Sequence, residues 1–185
     1  MQHSGERFLA GVADSDPARV AMKQELALQV LRDYGRVHIR AFGTSMLPAL
    51  WPGDVLGIER TDGGEIGGGD IVLFERRGQL FAHRVVAISG SGKQRVVLTQ
   101  GDSISRTDPL FRASELLGRV EVVIRAGREI PLGRPGAFSL VASWLFRQSG
   151  QLRRISLALH SRHRRLATWK PTGDAQPESG ILVIY

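Results

Sequence analysis

The sequence predicts a mainly β protein, and two features of the chain lead to this prediction. Short segments rich in Val, Ile, Leu or Phe, the composition of β-strands, follow one another at residues 37–41, 54–59, 70–75, 79–88, 95–99 and 119–124. Glycine-rich turns separate these segments, and no helical pattern alternates with them. The pattern therefore favours an antiparallel or mixed sheet over a doubly wound parallel sheet.

The elements on either side of this core divide the chain into three predicted regions. Residues 1–35 form an N-terminal tail and helix, since Asp16-Pro17 is a typical helix start and Gly35 a typical stop. Residues 36–133 form the β-rich core, in which Arg77-Gly78 is typical of a hairpin tip. Residues 134–185 form a basic helical extension and a C-terminal tail.

The composition limits the kinds of site that the protein can have. Hydrophobic residues make up 42% of the chain and charged residues 23%, as in ordinary globular proteins. Cysteine is absent, which excludes disulfides and thiolate metal sites. We expect neither a metal nor a cofactor, because no ligand cluster is visible and Gly67-Gly68-Gly69 lacks the Lys-Ser/Thr of a phosphate loop.

The apolar stretches of the chain indicate where it resides. The longest run, residues 137–146, is far shorter than the roughly 20 residues that a membrane-spanning helix needs. Residues 1–17 lack the apolar centre of a secretory signal. We therefore expect a cytoplasmic protein that can contact a membrane only at its surface.

The net charge of +7 is confined to one part of the chain. Residues 134–170 contain eight Lys and Arg and no Asp or Glu, whereas the remainder has 17 basic and 18 acidic residues. Leu152, Ile155, Leu159 and Leu166 form an apolar stripe within this basic segment. A basic amphipathic pattern suits an anionic membrane surface, and it suits equally well a helix whose apolar stripe packs on the β core while its arginines are solvated. The few, scattered aromatic residues of this segment argue against single-stranded nucleic acid.

A rigid serine-containing loop follows the first predicted strand. Ser45 lies between Gly43, which permits unusual backbone angles, and Pro48, which restricts them. A hydroxyl group held rigidly at the end of a strand suits a nucleophile. Loop chemistry alone suits an ordinary turn serine equally well.

Four short sequence boxes set this serine in a wider pattern, which covers residues 37–123, about half of the chain. The boxes are Ser45-Met46-Leu47-Pro48-Ala49-Leu50 with Pro52-Gly53-Asp54, then Gly69-Asp70-Ile71-Val72, then Ala82-His83-Arg84-Val85, and last Gly101-Asp102-Ser103 with Asp108. In this order they resemble the boxes of the signal peptidase I and LexA-type serine peptidases. The chain has His83 where the bacterial signal peptidases have Lys, as in the archaeal and endoplasmic-reticulum enzymes.

The resemblance implies a LexA-like β core and a role for each matching residue. Ser45 would be the nucleophile and His83 the general base, whose neutral form prevails near pH 7. Asp102 and Asp108 are the two candidates for the acid that orients the imidazole. Their spacing does not decide between them, and we favour Asp108. Without the resemblance, a single histidine on a strand would more often be a partly buried core residue.

The chain departs from the family pattern in two respects. Many signal peptidases have a hydroxyl residue two positions before the nucleophile as an oxyanion donor, and here that residue is Gly43. The backbone N–H of Ser45 and the hydroxyl of Thr44 are the remaining candidate donors. The family is also normally anchored in a membrane, whereas the helix before this serine box carries charged residues such as Lys23 and Asp33.

Two functions are compatible with these features. The first is a serine endopeptidase that hydrolyses a peptide bond in a peptide or protein precursor by means of Ser45 and His83. The second is a non-catalytic module that binds an anionic membrane surface, or another anionic partner, through residues 134–170. The first accounts for the ordered boxes and the second for the basic segment.

We predict that residues 134–170 attach the protein to anionic vesicles. Each basic residue near an anionic leaflet contributes about 1 kcal/mol, and 1 M salt weakens the attraction by shortening the Debye length to about 3 Å. Co-sedimentation should show pelleting with phosphatidylserine vesicles that salt reverses, and none with phosphatidylcholine vesicles. Equal pelleting with both kinds of vesicle, or with neither, would contradict this prediction.

Overall fold

The computed structural model describes residues 17–132, and within this range the chain forms one α-helix and one eight-stranded sheet. All paired strands run antiparallel, so the prediction of a mainly β protein is confirmed. The elements are α1 Pro17–Tyr34, β1 Arg36–Arg40, β2 Val55–Arg60, β3 Ile71–Arg76, β4 Gln79–Ser89, β5 Val96–Gln100, β6 Phe111–Arg112, β7 Leu116–Arg125 and β8 Arg128–Pro131. Short 3-10 turns lie at Gly92–Gln94 and Ala113–Glu115.

Two strands were not predicted from the sequence. The first, β6, has only two residues, and the second, β8, is exposed along its whole length. Neither has the run of apolar residues by which a buried strand is recognised. The turn before β8 is Ala126-Gly127, with positive φ angles of 51° and 75°. Such turns more often contain Asn-Gly, so this one gave little signal.

The predicted N-terminal helix and hairpin are both present. The helix α1 ends at Tyr34, where Gly35 takes a φ of 74° and donates its N–H to the Leu31 carbonyl. Arg77 and Gly78 form the tip between β3 and β4 with φ angles of 52° and 73°. No helix among the described residues is long and apolar enough to cross a membrane. The predicted tail at 1–16 and the extension at 134–185 lie outside the described residues.

The sheet has the order β1-β2-β7-β3-β4-β5-β6, and β8 pairs with β7 beside this path. Apolar clusters cover both of its faces. On one face Ala27, Leu28 and Leu31 of α1 join a cluster that includes Ile39 and Leu73. On the other face Val72, Phe74, Val85 and Val97 form a second cluster. Because apolar burial is the main stabilising term in folding, these two clusters hold the sheet in place.

The strand β4 changes partner along its length, and this change positions the candidate site. Its residues 79–84 pair with β3, whereas its residues 84–89 pair with β5 on the opposite edge. At residues 79–83, the edge of β4 that faces away from β3 therefore has no strand beside it within residues 17–132. The sheet also curls, since Ala41 after β1 and Ala82 of β4 line the same small pocket although three strands lie between them.

Candidate active site

The loop that carries Ser45 is closed at its base by Asp54. The side chain of Asp54 is 2% exposed and accepts hydrogen bonds from the Trp51 N–H at 2.7 Å and from Arg125 at 2.9 and 2.7 Å. Arg125 also donates to the Ala49 carbonyl at 3.0 Å. Backbone bonding continues from β1 into the loop, because the Ala41 N–H donates to the Asp54 carbonyl at 2.8 Å. These bonds fix the loop on the sheet.

His83 lies on β4 beside this loop. Its Nε2 is 3.1 Å from the Ser45 Oγ, and its Nδ1 is 2.7 Å from the Asp108 Oδ2. The His83 side chain is only 5% exposed, and the rings of Phe74 and Phe81 pack against it at centroid distances of 5.9 and 5.8 Å. Serine, histidine and one aspartate thus form a continuous line of hydrogen bonds.

The position of Asp108 is set by β5, where the Thr99 hydroxyl donates to its Oδ2 at 2.7 Å. Burial raises the pKa of Asp108, but hydrogen bonds from His83 and Thr99 and the charges of His83 and Arg76 outweigh burial and hold this pKa below its ordinary value. Asp108 is therefore ionised at neutral pH and can only accept hydrogen bonds. The proton on His83 must then lie on Nδ1, which leaves Nε2 of the neutral ring free to accept the Ser45 proton.

Asp102, the other acid nominated from the sequence, contacts Arg84 instead. The guanidinium of Arg84 donates to both carboxylate oxygens of Asp102, at 2.8 and 2.7 Å, and to the Gly69 carbonyl at 2.8 Å. Both side chains are buried. Of the two acids that the sequence left open, only Asp108 is hydrogen-bonded to His83.

The segment that contains Asp102 also binds the backbone of the loop that carries Ser45. The Ser103 N–H donates to the Ser45 carbonyl at 2.9 Å, and the Ser103 hydroxyl donates to the Thr44 carbonyl at 2.6 Å. A Cβ atom at Gly101 would lie 2.7 Å from the Ser45 carbonyl oxygen, so only glycine allows this approach. Arg84, next to His83 in the chain, is thereby tied through Asp102 to the backbone of Ser45.

The two predicted oxyanion donors are Thr44 and Ser45, and neither is engaged as a donor. Among the described residues, no acceptor binds the backbone N–H of Ser45 or the side-chain hydroxyl of Thr44. Gly43, two residues before the nucleophile, takes a φ of 89° that suits glycine. Both donors are thus available beside Oγ of Ser45.

A pocket of about 20 Å³ opens next to Ser45. Small residues form part of its wall, namely Ala41, Gly43 and Ala82, and Leu56 and Trp51 close it. About one water-sized probe fits such a volume, so the pocket has room for a methyl group but not for a long side chain.

Sequence reasoning gave no role to three of the residues that build this site, although Ser103 stands in the fourth box. Thr99 supports Asp108, Ser103 supports the nucleophile loop, and Arg125 neutralises Asp54. Thr99 could have been recognised as a buried polar residue, because it alternates with the buried Val97 on a strand, and it is fully buried. No such pattern marks Arg125, since it is 71 residues from Asp54 in the chain.

No family model, curated protein or solved structure matches this chain. Within residues 17–132, no group of three or more His, Asp or Glu side chains is placed to hold a metal ion. The chemistry of the site therefore has to be inferred from its own geometry.

We predict that the two aspartates differ in what they do for stability. Asp102→Asn leaves the buried Arg84 cation without its charged partner and should lower the free energy of unfolding by about 3–5 kcal/mol. Asp108→Asn keeps a hydrogen-bonding side chain at a less buried position and should lower the free energy of unfolding clearly less than Asp102→Asn does. Urea unfolding of both variants measures the difference, and an equal loss would contradict the assignment of Asp102 to a structural role.

Proposed function

We propose that the protein is a serine endopeptidase similar to signal peptidase I, of the Ser-His type, with a LexA-like β core. The observation that carries this proposal is the line of hydrogen bonds from Ser45 through His83 to Asp108. An ordinary turn serine or core histidine does not require this arrangement, in which both ring nitrogens are engaged. Nucleophile, base and orienting acid do require it.

The proposed reaction is acyl transfer to Ser45. The Oγ attacks the carbonyl carbon before the scissile bond as its proton passes to Nε2 of His83. Asp108 stabilises the imidazolium through Nδ1, and the Ser45 N–H and the Thr44 hydroxyl donate to the oxyanion. His83 then protonates the leaving amine as the C–N bond breaks. In the second half, His83 takes a proton from water, whose oxygen attacks the acyl carbon, and returns the proton to Oγ of Ser45 as the bond between Oγ and the acyl carbon breaks.

The free edge of β4 supports an extended peptide as the substrate. Val85 directs its N–H and C=O toward the start of β3, where they bond Asp70 and Gly69. Strand alternation therefore turns the N–H and C=O of Leu80 and Ala82 away from β3, toward the edge that has no strand beside it. A peptide can add to this edge as another strand.

The small pocket beside Ser45 supports a preference for a small residue before the cut. Its volume of about 20 Å³ and its walls of Ala41, Gly43 and Ala82 fit the side chain of alanine. The family resemblance implies the same preference. The proposed substrates are thus peptide or protein precursors with Ala, Gly or Ser in that position.

The alternative, a non-catalytic module, draws on a separate observation. The eight basic residues at 134–170 favour contact with an anionic membrane surface, and this segment lies outside the described residues. Such a module has no need for the bonds among Ser45, His83 and Asp108. Membrane contact is therefore proposed as an addition to peptidase activity rather than as its replacement.

We predict that Ser45→Ala and His83→Ala each reduce peptide cleavage by about 10⁴-fold or more, as losses at such sites do in serine proteases. The measurement is turnover of a peptide library with Ala before the scissile bond, and circular dichroism checks that the variants fold. Matched controls are Ser105→Ala and His38→Ala, which alter exposed residues of the same types. Cleavage by Ser45→Ala at the rate of the unmodified protein would contradict the proposal.

A further inference from the structure

Three carboxylates hold the candidate site together, and each is bound by groups of the protein itself. Asp54 pairs with Arg125, Asp102 with Arg84, and Asp108 is bound by His83 and Thr99. Asp54 and Asp102 are thus paired with cations, whereas Asp108 is held by hydrogen bonds and keeps its negative charge.

Two arginines near the site have no such partner. Arg40 ends β1 and immediately precedes Ala41, which lines the pocket beside Ser45. Arg76 ends β3, and its charge helps to lower the pKa of Asp108. Among the described residues, neither side chain makes a hydrogen bond or an ion pair, and both are partly exposed. Two guanidinium groups that make no hydrogen bond within residues 17–132 thus lie near the site.

The alternation of side chains along the strands tells which side of a bound peptide these arginines face. Ile39 and Ala82 point inward, to the core and the pocket, so Arg40 lies on the outward face of β1. On β3, Arg76 is on the same face as Phe74, which packs against His83. Both arginines thus belong to the face that carries His83, opposite to the face that carries the pocket.

An extended peptide on the free edge of β4 alternates in the same way. The residue before the scissile bond directs its side chain inward to the pocket, and so does the third residue before the bond. The second and fourth residues direct theirs outward, toward the face of Arg40 and Arg76.

From this placement we infer that the substrate carries Asp or Glu at the second or fourth position before the scissile bond, where Arg40 and Arg76 bind the carboxylate. This inference rests on the proposed peptidase function and adds the class of substrate, an acidic peptide. Two unpaired guanidinium groups beside a partly enclosed edge favour a carboxylate both by charge and by hydrogen bonding.

The test compares kcat/KM within pairs of peptides. Both peptides of a pair have Ala before the scissile bond, and they differ only in having Glu or Lys at one or two other positions. With the change at the second and fourth positions, the Glu peptide should be cleaved at least about tenfold faster at low salt. With the change at the third position, Glu should have no such advantage. At 1 M salt the preference should shrink, because the Debye length falls to about 3 Å.

Variants assign the preference to the two arginines. Arg40→Gln combined with Arg76→Gln should bring the ratio of Glu to Lys cleavage close to one, whereas Arg128→Gln combined with Lys93→Gln, an equal loss of charge at exposed positions, should leave the ratio unchanged. If the unmodified protein cleaves the Glu and Lys peptides equally fast and Ser45→Ala abolishes both cleavages, this inference is overturned, whereas the proposed peptidase function is supported. A preference that survives in the double variant of Arg40 and Arg76 would also overturn the inference, and a lack of turnover of every peptide would overturn both proposals.

Discussion

The buried ion pair between Arg84 and Asp102 is the contact on which the rest of the candidate site depends. Arg84 follows His83 on β4, and Asp102 lies between Gly101 and Ser103, which hold the backbone of Ser45. The pair thus fixes the loop of Ser45 against the strand of His83. The desolvation of two buried charges offsets much of their attraction, so the value of such a pair lies more in position than in net stability. The hydrogen-bond distance of 3.1 Å between Oγ of Ser45 and Nε2 of His83 requires the two segments to be held in position in this way.

Much of this arrangement could be predicted from the sequence, because it depends on residues that are close together in the chain. Alternating apolar residues indicated the main strands, and glycine marked the end of α1 and the tip of the β3–β4 hairpin. The order of the boxes singled out Ser45 and His83. These patterns did not settle the choice between Asp102 and Asp108, although we favour Asp108, because both acids stand in turn-like positions, Asp102 after Gly101 and Asp108 before Pro109. The choice is decided by Arg84 and Thr99, which lie on different strands and meet these acids only after the sheet has formed.

Close approach of the segments also explains why the pocket beside Ser45 is narrow. Glycine at position 101 and alanine at position 82 let the nucleophile loop and β4 approach closely, which leaves only a small pocket beside Ser45. Asp102 and Asp54, which hold these segments together, are paired with Arg84 and Arg125. Rigid placement of Ser45 and the small substrate residue that we propose therefore both follow from these contacts.

The most direct test of the central claim, that Ser45 is a nucleophile activated by His83, is covalent labelling with an acylating or phosphonylating serine-protease inhibitor. Intact-mass measurement and peptide mapping should find a single adduct on Ser45. The adduct should be absent from Ser45→Ala, and it should form far more slowly in His83→Ala, whereas Ser105→Ala should label at the rate of the unmodified protein. An unmodified protein that remains unlabelled, or a His83→Ala variant that labels equally fast, would contradict the account.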